Sequence, residues 1–267
     1  MNGPLHQLFR YRDIILYRTL AGLKSEARQN YLGYIWFFLE PVLITAILYF
    51  AFGHLFDRGG ASVVLMILIG MIMWQWFESS VSMAMHSIRS KIAILEHYQL
   101  PKFIFPIVNV AINSWKFLFV LLVVLGLTFM VAVFGESIAS PGWTWLLLPL
   151  FLLLQLGIII GLGMILAVAA SYMNDIVTVV SSVMRLLFFL SGIFFRLDRV
   201  PPDLHVYFLA NPVATLIESY RLLLLDGQVP PAEYVLYLTG VALVLLLIGY
   251  LVCRSQEGKI LKGIVRG

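Results

Sequence analysis

Few side chains in this sequence could carry chemistry, and the deepest is a cation. Arg185 stands ten positions into an apolar run that begins near Ile176. An arginine at the centre of a membrane helix costs about 2.5–3.5 kcal/mol on insertion scales unless it is paired or wetted. Two roles are therefore open: a buried ion pair with Glu78 or Glu40, or a cation lining a polar conduit, where it would meet a phosphate, a pyrophosphate or an acidic sugar. Aromatic rings are the second resource, because a ring face packs on the C–H face of a pyranose without demanding one hydroxyl pattern. Trp36, Phe37, Phe38, Trp74, Trp76 and Phe77 cluster near the ends of two apolar runs, and Phe188, Phe189, Phe194 and Phe195 lie in another. Most are expected in the core or facing lipid, and a minority lining a channel would suffice. The cluster Ser79, Ser80, Ser82 and His86 invites a hydrolase reading, but a nucleophile also needs a base and oxyanion donors in one site. No Gly-x-Ser-x-Gly supports it, and serine in a spanning helix usually bonds its own backbone. A phosphate-binding loop is also missing: Gly258-Lys259 is followed by Ile260, with Cys253 where the first glycine is needed. No catalytic residue, metal site or cofactor is assigned to this chain.

The elements that position these groups follow from composition. Of 267 residues, 61% are hydrophobic and 12% charged, against about 25% charged in soluble domains. The chain reads as an all-α, polytopic membrane protein. Cys253 stands alone, which excludes an intramolecular disulfide. The net charge of +4 is explained by topology rather than by nucleic acid, since the basic residues fall between long apolar runs. A spanning helix needs about 20 apolar residues to cross about 30 Å of hydrocarbon, and six segments reach that length: 35–56, 62–85, 103–134, 143–170, 176–195 and 233–253. Residues 1–30 form a separate amphipathic segment: Leu5, Phe9, Leu16, Leu20, Leu23 and Ala27 share one stripe of a helical wheel, with Arg10, Lys24 and Arg28 opposite. This is an interfacial helix, or a helix packed on a partner. The remainder, 31–267, is the transmembrane domain.

Positive charge orients the spans. The N-terminal helix, the 86–102 connection and the tail carry twelve lysines and arginines, whereas Arg58, Arg196, Arg199 and Arg221 are the four on the other side. Both termini are expected in the cytosol. Within the connection, Ile88, Ile92 and Leu95 recur at helical spacing beside Arg89 and Lys91, so 86–99 reads either as a short surface helix with one apolar stripe or as a solvated linker. Between the fifth and last spans lie two stretches too short to cross, 203–210 and 213–225. Asn211 is a natural N-cap and Pro212 a natural first helical residue, so a helix should start there and stop before Asp226-Gly227. Two short helices that enter the outer leaflet and return satisfy their own backbone groups.

Three stretches now carry a resemblance. Residues 30–41 turn the chain from lying on the membrane to crossing it. There Tyr31, Gly33, Tyr34, Trp36 and the run Leu39-Glu40-Pro41 resemble the start of the first spanning helix in bacterial ABC exporter permeases for cell-surface polysaccharides, the capsule, O-antigen and teichoic-acid exporters. The 86–99 segment is similar to that family's coupling helix. Asn211-Pro212 with Glu218-Ser219-Tyr220-Arg221 is similar to its paired re-entrant element. The sequence departs from the family at Ser191-Gly192, where many members have Ser-Pro, and at Asn174-Asp175, where many have Arg-Asp. The first departure puts a helix break in question, and the second removes a basic residue from a cytosolic loop.

What the resemblance implies is a multi-pass protein of the bacterial inner membrane that pairs with a copy of itself and with two ABC ATPase subunits, the ATP and magnesium being held by the ATPase. The cargo would be a lipid-linked polysaccharide, with membrane lipids around the complex and periplasmic export partners beyond it. Tyr31, Gly33, Tyr34, Glu40 and Pro41 would form the membrane entry and gate. Ile88, Arg89, Lys91, Ile92 and Leu95 would dock the ATPase. Arg185, Trp36, Phe37, Trp74, Trp76, Phe188 and Phe189 would line the conduit. An exporter of a drug or small lipid is the alternative, and a secondary transporter or channel a more distant one. For topology, cysteines placed in 57–61, 135–142 and 196–202 should react with an impermeant thiol reagent in intact cells, and labelling of 89–97 from outside would contradict the orientation.

Overall fold

A computed structural model describes residues 4–29, 61–91, 101–134, 141–173 and 175–256, with isolated positions between 39 and 50. The expected first span, 35–56, and Tyr31, Gly33, Tyr34, Trp36, Phe37, Glu40 and Pro41 lie outside the described residues, as do Ile92 and Leu95. Among the described residues every regular element is helical. They are α1 (Pro4–Gln29), α2 (Ala61–Met85), α3 (Ile104–Phe134), α4 (Leu148–Tyr172), α5 (Asp175–Leu190), α6 (His205–Leu209), α7 (Pro212–Leu224) and α8 (Ala232–Ser255), joined in places by 3-10 turns.

Four of these segments are long and apolar enough to cross a membrane: Ser62–Met85, Ile104–Phe134, Trp143–Tyr172 and Ala232–Ser255. They match four of the expected spans to within a few residues. The fifth expectation needs correction. The apolar run 176–195 does not form one helix, because α5 ends at Leu190 after 16 residues and the chain turns through Gly192 at φ +67°. Glycine adopts that backbone without strain, so the helix break put in question by Ser191-Gly192 is present and is made by Gly192.

The core explains which helices tolerate polar residues. α2 is the least apolar of the four spans and the most deeply packed, with 61% of its apolar window buried against 17% for α8. Its polar groups are paired across helices: Asn113 donates to Ser79 Oγ (2.6 Å) and Ser80 Oγ (2.8 Å), and Trp76 Nε1 donates to Ser114 Oγ (3.1 Å). Gln155 of α4 donates to Met73 O (2.9 Å) while accepting from the Tyr220 hydroxyl (2.8 Å), tying α2, α4 and α7 together. Such bonds hold helices together where lipid offers no competing partner. Of the serines that suggested a nucleophile, Ser79 and Ser80 are therefore partners of Asn113, while Ser82 and His86 are exposed.

The closest helix pair is α4 with α8. Gly161 and Gly249 permit it: a β-carbon at Gly249 would lie 2.7 Å from Gly161 O, and one at Gly161 would lie 2.5 Å from the Leu245 carbonyl carbon. Small residues let backbones approach in this way. α1 lies across the start of α3, with Tyr11, Ile15 and Thr19 turned toward the protein and Leu16 and Leu20 uncovered at 60% and 62% exposure. Uncovered leucines on that face fit a helix resting in the bilayer surface. Gly161→Ala should lower the detergent melting temperature, since backbone must move, at a cost of about 1–3 kcal/mol. Gly126→Ala and Gly240→Ala, which meet nothing within 4 Å, should be neutral or slightly stabilising. Equal effects at all three sites would contradict the close packing of α4 on α8.

Candidate functional site

Two arginines compete for the role of a cation that meets cargo, and geometry separates them. Arg221 lies on α7, a 13-residue helix buried on nearly every side. Asn211 caps its start, its side chain accepting from Val213 N at 3.0 Å, and Pro212 occupies the first turn, as expected from the sequence. The helix ends at Leu224, and Gly227 turns the chain away at φ +63°. From this helix the Arg221 side chain, 1% exposed, reaches the N-terminal part of α2 and the turn after α5. Nε and Nη2 donate to Met66 O (3.3 and 3.2 Å), Nη2 also to Ile193 O (2.7 Å), and Nη1 to Gly192 O (2.8 Å) and Phe195 O (2.9 Å). Gly70 leaves the space, since a β-carbon there would lie 3.0 Å from Nη2.

A guanidinium has five N–H groups, and all five are used on four carbonyls. Arg221 is a clamp and has no donor left for an anion. Glu218 sits one turn earlier with Oε2 3.9 Å from Nη1, a loose pairing, and that oxygen has no hydrogen-bond partner among the described residues. A second pair closes the same end: Arg196 holds Asp226 through two hydrogen bonds, Nη1 to Oδ1 at 3.0 Å and Nη2 to Oδ2. The hydrogen bonds that Arg196 donates to Asp226 raise its pKa above the ordinary value. Asn211 Nδ2 donates to Ser191 Oγ (3.0 Å), and Thr144 donates to Leu223 O (3.1 Å), so the start of α7 is tied to the turn after α5 and its end to the 3-10 turn before α4.

Arg185 is the opposite case. It is exposed on α5 and donates to Ser182 Oγ at 3.3 Å. Of the two carboxylates offered as ion-pair partners, Glu78 does not pair with it and accepts from Trp74 Nε1 at 2.8 Å instead, and Glu40 lies outside the described residues. Thr178, Ser182, Arg185 and Phe189 fall at spacings of four, three and four, on one face of the helix, and all but the half-buried Ser182 are exposed. Phe188 links this face to the core, edge-on to Trp74 with centroids 5.7 Å apart and to Phe189 at 5.2 Å.

Three expected site residues move. Trp74 and Trp76 are 2% and 3% exposed, Trp76 stacked on Phe117 at 4.2 Å, so both pack the subunit's own core rather than a conduit. Ile88 is fully buried among Phe103, Ile104 and Phe105, which removes it from a docking surface because its apolar face is already covered. Arg89 and Lys91 are exposed in a 3-10 turn and remain available. Lys102, counted from sequence among the cytosolic charges, is 3% exposed and donates to Gln256 O at the end of α8. A cation on the last carbonyls of a helix is a familiar arrangement, but no local pattern around Pro101-Lys102 announces it.

With this geometry in hand, comparison with known proteins defines the class. A family profile described as ABC-2 type transporter matches residues 16–225, and the chain belongs to that family. It is similar to the O-antigen export system permease protein RfbA of Myxococcus xanthus, 26% identical over 246 residues covering 91% of this chain and 92% of the relative. The Klebsiella pneumoniae protein of the same name is 28% identical over 233 residues, 86% and 88% of the two chains. The capsule polysaccharide export inner-membrane protein CtrC of Neisseria meningitidis serogroup A is 26% identical over 245 residues, 86% of each.

The clamp is testable apart from transport. Arg221→Ala strands the carbonyls of Gly192, Ile193 and Phe195 and the Glu218 carboxylate, and should destabilise by about 3–5 kcal/mol, read as a large fall in melting temperature or loss of the folded protein. Arg221→Lys should recover little, since an ammonium cannot span the same carbonyls. Adding Glu218→Gln to Arg221→Ala should restore only part. A stable Arg221→Ala would show that the carbonyl cage contributes nothing.

Proposed function

We propose that this chain is the transmembrane subunit of an ATP-driven exporter that moves a lipid-linked cell-surface polysaccharide across the bacterial inner membrane. One observation supports it above the others: an exposed stripe on an otherwise apolar helix, where Thr178, Ser182, Arg185 and Phe189 offer hydroxyls, a cation and a ring face. An exposed intramembrane arginine calls for a wet cavity or a partner. A conduit formed between two copies of the chain supplies both. The hydroxyls and the ring suit a sugar chain, and the cation suits the phosphate or pyrophosphate by which a lipid-linked polymer is anchored. The names of the similar permeases, O-antigen and capsule exporters, agree with this cargo class.

Energy comes from two ABC ATPase subunits that hold ATP and magnesium. They dock on the cytosolic side, where Arg89 and Lys91 are exposed, with Ile92 and Leu95 of the same segment as the expected apolar contacts. Both termini lie in the cytosol in this reading, and α6 with α7 forms the re-entrant pair at the periplasmic face. Arg185→Ala should leave thermal stability within about 0.5 kcal/mol of the parent, as expected for an exposed side chain without an ion pair among the described residues, while surface polymer falls at least severalfold. Arg185→Lys should keep part of the activity by retaining the charge. Full export by Arg185→Ala would remove the arginine from the conduit. Gene deletion should strand polymer inside the cell, and unchanged surface polymer would favour a drug or small-lipid exporter instead.

A further inference from the structure

At the end of the bundle away from Arg221, a cleft of about 290 Å³ opens between α1, the start of α3 and the turn after α2. Cations enter it from two different elements: Arg18 of α1 and Lys91 of the Arg89–Lys91 turn. Ser25, Ser87 and Asn109 line it as well, the Asn109 amide already donating to Met83 O at 2.8 Å, and no carboxylate does so among the described residues. Ser87 is 1% exposed, and its Oγ has no hydrogen-bond partner among the described residues. A buried hydroxyl facing a cleft without a partner is an uncommon arrangement, because buried polar groups are nearly always satisfied. Arg18 lies over the Phe105 ring, its guanidinium carbon 5.6 Å from the centroid. That contact uses the flat face of the guanidinium, whereas its N–H donors point outward in the plane.

Depth in the membrane narrows the ligand. α2 ends at Met85 and α3 begins at Ile104, so Ser87, Lys91 and Phe105 sit where spanning helices leave the hydrocarbon. α1 turns Leu16 and Leu20 outward at the same level. Basic pockets between helices at this depth hold anionic headgroups, and a cleft of this size admits a phosphate with part of its glycerol substituent. We infer that the cleft binds the phosphate of an anionic membrane-lipid headgroup, with Arg18 and Lys91 contributing charge and Ser87 a hydrogen bond, and that the bound lipid fastens α1 to the bundle. This rests on the membrane-spanning fold and not on the identity of the exported polymer.

The test uses the purified full chain in neutral detergent, with binding read as a rise in melting temperature during titration with a short-chain phosphatidylglycerol. Short-chain phosphatidylcholine and inorganic phosphate are the parallel arms. Phosphatidylglycerol should stabilise the protein at concentrations where the other two do not. Loss of each charge should weaken it about fivefold, so Arg18→Gln with Lys91→Gln loses more than tenfold, and Ser87→Ala weakens it by a smaller factor. Arg10→Gln with Arg12→Gln removes two charges of α1 that do not line the cleft, and should leave the response intact. Equal stabilisation by phosphatidylcholine, or equal loss in the Arg10 and Arg12 control, would overturn the site in favour of diffuse attraction. Equal stabilisation by inorganic phosphate would overturn the lipid assignment. If the Arg18→Gln variant fails to fold, Lys91→Gln alone, at an exposed position, is read by native mass spectrometry. Undiminished retention of anionic lipid by Lys91→Gln would then overturn the proposal.

Discussion

The structure depends on one saturated guanidinium. Arg221 places five N–H groups on the carbonyls of Met66, Gly192, Ile193 and Phe195, which belong to α2 and to the turn after α5. The carbonyls of Gly192, Ile193 and Phe195 lie past the end of α5, where helical hydrogen bonding has stopped, and a buried carbonyl without a donor costs about as much as a lost hydrogen bond. The arginine solves this for the whole junction at once. α7 is buried on almost every side while carrying Thr215, Ser219 and Arg221: the two hydroxyls donate to carbonyls of α7 and of the stretch just before it, and Arg221 to α2 and the turn after α5. Desolvating a charge is unfavourable in isolation, and here it is offset because every donor finds an acceptor.

The same count separates structure from transport. A cation that meets a moving anionic group must have donors to offer and must let them go again. Arg221 offers none, whereas Arg185, exposed on α5 and donating to Ser182 among the described residues, has donors to spare. The two arginines thus mark the fixed and the exposed parts of the molecule. The interlocked helices α2, α3, α4, α7 and α8 form the fixed part through Asn113, Gln155, Tyr220 and the glycine contact of α4 with α8.

Much of this was legible in the sequence, for identifiable reasons. Spans such as 62–85, 103–134 and 233–253 are set by length and apolarity, and charged flanks fix their ends. The start of α7 was legible because Asn211 and Pro212 act locally, one by its side-chain acceptor and the other by its fixed φ. The end of α5 was not, because Leu186 to Phe195 is apolar on both sides of Gly192, and composition cannot show a chain turning inside an apolar run. The site was read less well. Arg221 counted as an external charge, since nothing near Glu218-Ser219-Tyr220 reveals that carbonyls more than 25 residues earlier converge on it. Ile88, Trp74 and Trp76 have the spacing and chemistry of contact residues, but an apolar stripe looks the same whether it faces a partner or its own core. Thr178, Ser182, Arg185 and Phe189 could have been found together by following helical spacing from Arg185.

The turn at Gly192 has a mechanical consequence. α5 is gripped at its C-terminal end, where the carbonyls of Gly192, Ile193 and Phe195 hang from one side chain, and among the described residues it has few neighbours along its length. A rod held so is a lever with its pivot at one membrane face. Sixteen helical residues make an arm of about 24 Å, so a tilt of about 10° would swing the Asp175 end by about 4 Å with the pivot unmoved. Arg185, nearer the pivot, would travel about a third as far. Large displacement at the Asp175 end and small displacement at the arginine are built into where the helix is fastened.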